Sequence, residues 1–392
     1  MKRQKGGNQM SLIFNSTGYR YDCEDIVRAK GTKVFDRSGK SFIDFESGVW
    51  CLPLGHAHEA ITEAIYEQAA AISHVGYRYT AAVVEEAAKA LLEVAAFPEG
   101  KCVFLSSGSE AVEYAIQLAK SMRPGLNGIR FANYYVSAYG AGKIGNMDWI
   151  TIDVESDIEM EAESIDFSTI GYMIIEPGNF SGSVRLFDRA KLHRLIAKVK
   201  ANDGIIIVDE VTTGIGRMGY WFGYMHYGII PDIIASGKGL GNGYPISAVI
   251  MTDTVSAQAE RSTFRYAQSH QNDPLGCAVA KTVIETIRKN DYLLHANKMG
   301  VYLRQQLSML QEKHGCLNDI RGIGLMNAVS FSSQVSTNML DVMQNRLFEK
   351  GLLVAFRKAD KTMRLYPPLI IEKKDIQLLV DGLEDTFTSL EL

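Results

Sequence analysis

The 392-residue chain is predicted to be an α/β protein, with a mainly parallel sheet covered by helices and a second, smaller α+β domain. Three observations predict it. From about residue 57, helical stretches alternate with short β-branched runs, the pattern of a sheet layered between helices. Two nearly continuous apolar runs, Gly204-Ile205-Ile206-Ile207-Val208 and Ile233-Ile234-Ala235, read as strands buried on both faces, as parallel strands are. The length exceeds the roughly 250–300 residues at which single cores stop growing, so two domains are expected.

Taken in order, the chain opens on Met1-Lys2-Arg3-Gln4-Lys5-Gly6-Gly7-Asn8, a basic start with no apolar region after it, which reads as a loose tail rather than a signal peptide. Val34 to Phe45 reads as a hairpin with Arg37-Ser38-Gly39-Lys40 at its turn. Helices are expected over Ala82–Ala96, Glu110–Met122 and Arg189–Ala201, and strands over Lys101–Leu105, Tyr172–Glu176, Ile205–Asp209 and Ile246–Met251. The last hundred or so residues carry a long helix from Ala278 to Leu310, a strand pair around Asn327–Phe331 and Leu352–Ala355, and a closing helix from Lys374. The resulting division is an N-terminal segment over 1–50 that packs with the small domain, a large domain over 51–277 and a small domain over 278–392.

A net charge of −4 with no block of like charge gives no reason to expect nucleic acid or an acidic membrane as partner, and favours small molecules. The five cysteines, Cys23, Cys51, Cys102, Cys277 and Cys316, are scattered and lack CxxC spacing, so neither a disulfide framework nor a metal site is suggested. A reducing cytoplasm fits that usage. No apolar stretch approaches the roughly 20 residues that a membrane span needs.

The chemistry sits at strand ends. Asp209 closes one apolar run and Lys238 follows the next, so parallel strands would bring both to one sheet edge, where ligands of open α/β sheets bind. An amine forms a Schiff base with an aldehyde cofactor, and a carboxylate keeps a pyridine nitrogen protonated so that the ring acts as an electron sink. That pairing points to pyridoxal phosphate. Ser107 and Glu110 fit a capping box between a strand and a helix, and the free N–H groups of that helix start would suit a phosphate, although any helix start can carry such a cap. Glu176-Pro177 ends a third apolar strand and brings another acid to the same edge. Tyr134 or Tyr135 could stack on a planar ring, and Val211 could cover its other face. Arg364, before Pro367-Pro368, is suited to a bidentate grip on a carboxylate. Gly214-x-Gly216-Arg217-Met218-Gly219 opens no helix and is not a dinucleotide fingerprint.

These segments, in this order, resemble the class III aminotransferases, the pyridoxal-phosphate family of acetylornithine, ornithine and 4-aminobutyrate aminotransferases. The resemblance runs from about Val27 to the C-terminus. It rests on Gly55-His56-Ala57-His58, Ser107-Gly108-Ser109-Glu110-Ala111, Glu176-Pro177, Asp209-Glu210-Val211 with Gly214, Gly216 and Arg217, Ser236-Gly237-Lys238-Gly239-Leu240-Gly241, Asn272-Asp273-Pro274-Leu275 and Arg364-Leu365-Tyr366-Pro367-Pro368. It implies a fold-type-I, aspartate aminotransferase-like homodimer whose large domain holds a mainly parallel seven-stranded sheet, with active sites at the subunit interface. Lys238 would hold the internal aldimine and shuttle the proton, and Asp209 would pair with the pyridinium nitrogen. Ser107, Gly108 and Ser109 would bind the phosphate, joined by Ser269 from the partner subunit; Tyr134 and Val211 would sandwich the ring, with Glu176 beside the cofactor. Arg364 would grip the substrate carboxylate. The implied reaction is a ping-pong amino transfer from an amine or amino acid to a keto acid or aldehyde.

The chain departs from the family at several points. The aromatic-His-Gly motif becomes Tyr134-Tyr135-Val136, Thr212 stands where glutamine is usual, and Ser269 replaces threonine. Ser181 lies where ornithine and 4-aminobutyrate enzymes carry a second glutamate that neutralises the arginine, which argues against those two substrates. Ser47-Gly48-Val49-Trp50-Cys51 is similar to the amine:pyruvate branch, where a tryptophan shapes the donor pocket, and also to glutamate-1-semialdehyde aminomutase. Trp50, Tyr77 and Ser181 are the pocket candidates. An aminomutase is the first alternative and an epimerase a weaker one, but Arg364 before Pro-Pro favours the aminotransferase. A non-catalytic binding protein should have lost Lys238 or Asp209, and both are present.

Overall fold

The computed structural model describes residue 12 and residues 14–17, 25–142, 149–153, 158–178 and 183–392. Fifteen strands are found among them: β1 Ile26–Lys30, β2 Lys33–Asp36, β3 Ser41–Asp44, β4 Lys101–Leu105, β5 Asn127–Phe131, β6 Trp149–Ile152, β7 Ile170–Ile175, β8 Ile205–Glu210, β9 Ile233–Ser236, β10 Ser247–Met251, β11 Leu317–Ile323, β12 Met326–Phe331, β13 Leu352–Leu353, β14 Ala355–Arg357 and β15 Thr362–Leu365. The basic start, Cys23 and Ser181 lie outside the described residues.

Seven strands form the central sheet in the order β4-β10-β9-β8-β7-β5-β6. Every neighbouring pair from β9 to β6 is parallel, and β10 runs antiparallel to both β4 and β9. The sheet is therefore mostly parallel, as the buried apolar runs require. β7, β8, β9 and β10 are buried along their whole length, which explains why their sequences show no polar alternation. Gly108–Met122 crosses one face of this sheet with Ala111, Val112, Ala115, Ile116, Leu118 and Ala119 buried.

A second sheet, β1-β2-β3-β13, joins the expected hairpin to the C-terminal part: β3 pairs in parallel with β13, Ile43 opposite Leu352. A third sheet has the order β11-β12-β15-β14. Here the expected pairing of Asn327–Phe331 with Leu352–Ala355 is corrected. β12 pairs with β11 and β15, while Leu352 belongs to the second sheet. The single long helix over Ala278–Leu310 is also corrected: Pro274–Lys289 and Tyr292–Lys313 are separate helices, divided at Asn290-Asp291, where Asp291 adopts a left-handed φ of 51°. Pro274–Lys289 packs on Glu59–Ala71 and Ala82–Val94. No helix among the described residues is long and apolar enough to cross a membrane.

Candidate active site

Parallel pairing of β8 with β9 sets Asp209 opposite Ala235 and Glu210 opposite Ser236, and the chain turns to Gly237-Lys238 directly beyond. β7 lies on the other side of β8 with Ile175 opposite Val208, so Glu176 leaves the sheet at the same edge. The strand ends thus gather three acids and one amine. Asp209 is 7% exposed, Glu176 5% and Glu210 fully buried.

Burial raises the Asp209 carboxyl above its usual range, and the nearby Glu176 charge raises it further, against the Val211 N–H that it accepts at 3.0 Å. No ion pair to Asp209 is formed among the described residues. Glu210 is also pushed up, to about 7, mainly by burial. It is satisfied structurally instead: it accepts from the Thr213 hydroxyl at 2.7 Å and from the Gly223 and Tyr224 N–H groups at 2.8 Å each. Lys238 has a left-handed φ of 38°, and its Nζ donates to Thr212 Oγ1 at 2.9 Å.

The helix Gly108–Met122 begins beside this edge. Ser107 Oγ accepts from Glu110 N–H at 3.2 Å, but the glutamate closes back on Ser106 N–H at 2.9 Å rather than on the cap residue itself, one residue beyond the expected box. Gly108 is packed so closely that an added Cβ would lie 2.5 Å from Val211 Cγ1. Ser109 Oγ accepts from Ala138 N–H at 3.1 Å. Tyr134 is 3% exposed, and its hydroxyl donates to the Glu176 carbonyl at 2.9 Å, which leaves its ring no open face; Tyr135, the next residue, is 60% exposed. Ser269 is exposed, and its neighbour Gln268 donates to Ser106 Oγ at 3.3 Å. Tyr77 is exposed.

Trp50 is the hub of the remaining wall. Lys238 Nζ lies 5.1 Å and Arg364 Cζ 5.2 Å from its ring centroid, and the Tyr366 ring lies 5.0 Å away. Arg364, on β15, approaches Glu46 at 3.8 Å. Trp50 Nε1 and Arg364 Nε are buried donors without a hydrogen-bond partner, and such groups are costly unless a ligand satisfies them. Trp50 arrives on a backbone that is left-handed at Ser47, Gly48, Val49 and Trp50 in succession, a conformation that costs roughly 1–2 kcal/mol for each L-residue. Arg217, buried, clamps the Pro-Pro turn that follows β15 by donating to the Pro367 carbonyl at 2.5 Å and the Leu325 carbonyl at 3.2 Å. Its sequence signal was only its place after Gly216.

These residues fit pyridoxal phosphate. A buried carboxylate with no ion pair among the described residues suits a protonated ring nitrogen, the amine at the adjacent strand end suits an aldehyde, and a closely packed glycine at the helix start suits a phosphate on the backbone N–H groups there.

The sequence profile of the family described as aminotransferase class-III matches residues 16–128 and 152–387. An acetylornithine aminotransferase of Caldanaerobacter subterraneus is 30% identical over 391 residues, covering 93% of this chain and 95% of that protein. A succinylornithine transaminase of Yersinia enterocolitica is 32% identical over 377 residues, covering 90% of this chain and 89% of that one. The crystal structure of an acetylornithine aminotransferase from Elizabethkingia anophelis superposes with a TM-score of 0.84 at 25% identity, covering 96% of each chain. A Bacillus anthracis aminotransferase shares the fold at a TM-score of 0.89, with 22% identity and 97% of each chain covered. With its profile matched over most of its length and these relatives matched nearly end to end, the chain belongs to the class-III aminotransferases and is a pyridoxal-phosphate-dependent transaminase of the fold-type-I architecture.

Proposed function

We propose that Lys238, Asp209 and Arg364 carry the transamination, with Lys238 holding the cofactor and moving the proton, Asp209 pairing with the cofactor's ring nitrogen, and Arg364 gripping the substrate carboxylate. One observation carries this reading: a buried strand-end carboxylate and an amine stand at the ends of adjacent parallel strands. When bound, pyridoxal phosphate supplies an aldehyde for the substrate's amine and a ring that receives the electron pair released at the neighbouring carbon. Asp209 then accepts a charge-assisted hydrogen bond worth on the order of 1.5–3 kcal/mol, and its effect grows where charge builds up in the transition state. Lys238 Nζ acts as the base, aimed by Thr212 Oγ1.

Ser107, Gly108 and Ser109 hold the phosphate at the helix start, and a second copy of the chain brings its own Ser269 hydroxyl to it. Tyr135 offers the open aromatic face that Tyr134 lacks, and Val211 covers the opposite side. Glu176 sets the charge around Asp209, and Trp50 walls the donor pocket. The molecule works as a homodimer in the cytoplasm, and its two domains divide near Asn290, with residues 25–50 attached to the smaller one through β3 and β13. The donor is an amino acid whose carboxylate Arg364 holds. N-acylornithines head the series because the relatives named above are acetylornithine and succinylornithine enzymes. None of those relatives is an aminomutase or epimerase.

The test is the visible spectrum of the cofactor-loaded protein with N-acetylornithine, succinylornithine or glutamate and no acceptor, beside a Lys238→Ala control. One donor should bleach the band stably, and a keto acid should restore it. Lys238→Ala should lose the lysine-bound band and at least about 10²–10⁴ of the rate, the range of one general base. A wild-type band in the Lys238→Ala protein would overturn the assignment.

A further inference from the structure

Three observations converge on one short segment. The backbone is left-handed at four successive residues, with φ of 50° at Ser47, 57° at Gly48, 60° at Val49 and 71° at Trp50. L-residues keep that conformation only when their surroundings over-determine it. A single carboxylate, 4% exposed, supplies much of that hold: Asp44 Oδ1 accepts from Glu46 N–H at 2.8 Å, while Oδ2 accepts from Gly48 N–H at 2.9 Å and lies 2.9 Å from His56 Nε2. Ser47 Oγ ties the same turn to β15's exit by donating to the Tyr366 carbonyl at 2.6 Å. Finally, two side chains that approach Arg364 ride on this segment, the Glu46 carboxylate at 3.8 Å and the Trp50 ring at 5.2 Å.

We propose that Asp44 is a positioning residue for substrate recognition: its carboxylate fixes the left-handed turn, the turn fixes Glu46 and Trp50, and these two set the orientation and accessibility of the Arg364 guanidinium. The inference rests on the reading of Arg364 as the carboxylate grip. It adds that a group outside the substrate pocket controls that grip through backbone geometry. Asp44→Asn separates shape from charge. Whichever way the amide is turned, its NH2 faces the Glu46 or the Gly48 N–H, so one clamp bond is lost while the volume is kept.

The experiment follows phenylglyoxal labelling of Arg364 by peptide mass spectrometry in the cofactor-loaded enzyme, with exposed Arg261 as internal reference. In Asp44→Asn the Arg364 to Arg261 labelling ratio should rise about threefold or more. The N-acetylornithine concentration that half-bleaches the cofactor band should rise about fivefold, with the limiting rate nearly unchanged, the signature of lost binding common to ground and transition states. Gly48→Ala disturbs the same turn while leaving the Asp44 carboxylate itself unaltered, because its Cβ at a φ of +57° would lie 2.9 Å from Leu52 Cδ1. It should move both readouts the same way, and it decides the matter if Asp44→Asn does not fold. Val49→Gly, which removes a β-branched residue from a left-handed position at a 62% exposed site, should return the Asp44→Asn ratio towards wild type. An unchanged Arg364 ratio in a variant that keeps the wild-type cofactor band overturns the clamp. A raised ratio with unchanged donor dependence overturns instead the part given to Arg364, so the two failures are told apart.

Discussion

Burial decides the charge of Asp209 before any cofactor arrives. A carboxyl raised by desolvation and by Glu176 keeps its proton in the folded protein at a pH where the unfolded chain has released it. The folded state then binds more protons than the unfolded one, so stability falls as pH rises from the ordinary aspartate range towards the folded pKa. An isosteric amide removes that slope. In the cofactor-free state, Asp209→Asn should therefore gain on wild type by about 1.4 kcal/mol for each pH unit within that window, read as a thermal midpoint difference that widens from pH 5 to pH 7. Parallel midpoint curves would show that the carboxyl is not raised. Arg364→Lys tests the other charge: a point cation cannot make a two-bond fork, so the half-bleaching donor concentration should rise roughly tenfold, the equivalent of about 1.4 kcal/mol. The placement of Asp209 and Lys238 at one sheet edge was legible in the sequence because the first closes an apolar run and the second follows the next. The Lys238–Thr212 bond and the meeting of Trp50 with Arg364 were not, since they join positions far apart in the chain through tertiary packing alone.

At the level of elements, the helix start at Gly108 is closely packed where the proposed reading puts the phosphate. The Cβ of Gly108→Ala would enter the space of Val211 Cγ1, and overpacking of this kind costs typically 1–3 kcal/mol. If that helix start holds the phosphate as proposed, Val211 and its N–H groups are displaced together and the dissociation constant for pyridoxal phosphate should rise about tenfold or more, measured by absorbance titration; an unaltered constant would detach the helix start from the cofactor. Lys101–Leu105 was legible to the residue, bounded by Gly100 on one side and a serine-rich turn on the other. Where a strand exists is a local question, but which strand it joins is not, and so Leu352 was assigned to the wrong sheet. The helix break at Asn290-Asp291 lacks glycine or proline, the usual punctuation, and only the left-handed φ of Asp291 marks it. The left-handed turn at Trp50 was equally silent, because glycine occupies just one of its four positions.

For the whole molecule, the sheet edge gathers the candidate residues, and the chain leaves an aromatic stretch exposed beside Glu59–Ala71. Tyr66 is 75% exposed, Tyr77 58% and Tyr79 75%, with Ile72 at 43%, all between the start of Glu59–Ala71 and the start of Ala82–Val94. Aromatic residues gathered in one exposed stretch are the composition of an interface core rather than of a solvated face. If a second copy covers them, light scattering should give about twice the chain mass of 43.4 kDa, and Tyr66→Glu together with Tyr79→Glu should bury charge in that contact and shift the protein towards monomer. The consequence reaches the chemistry. On the proposed reading a monomer would lack the partner copy's Ser269 hydroxyl at the phosphate, so the dissociated variant should also bind pyridoxal phosphate more weakly, and raising its concentration until dimers return should restore the cofactor band. Dissociation without any loss of cofactor affinity would mean that each chain holds the phosphate alone, and Ser269 would drop out of the site.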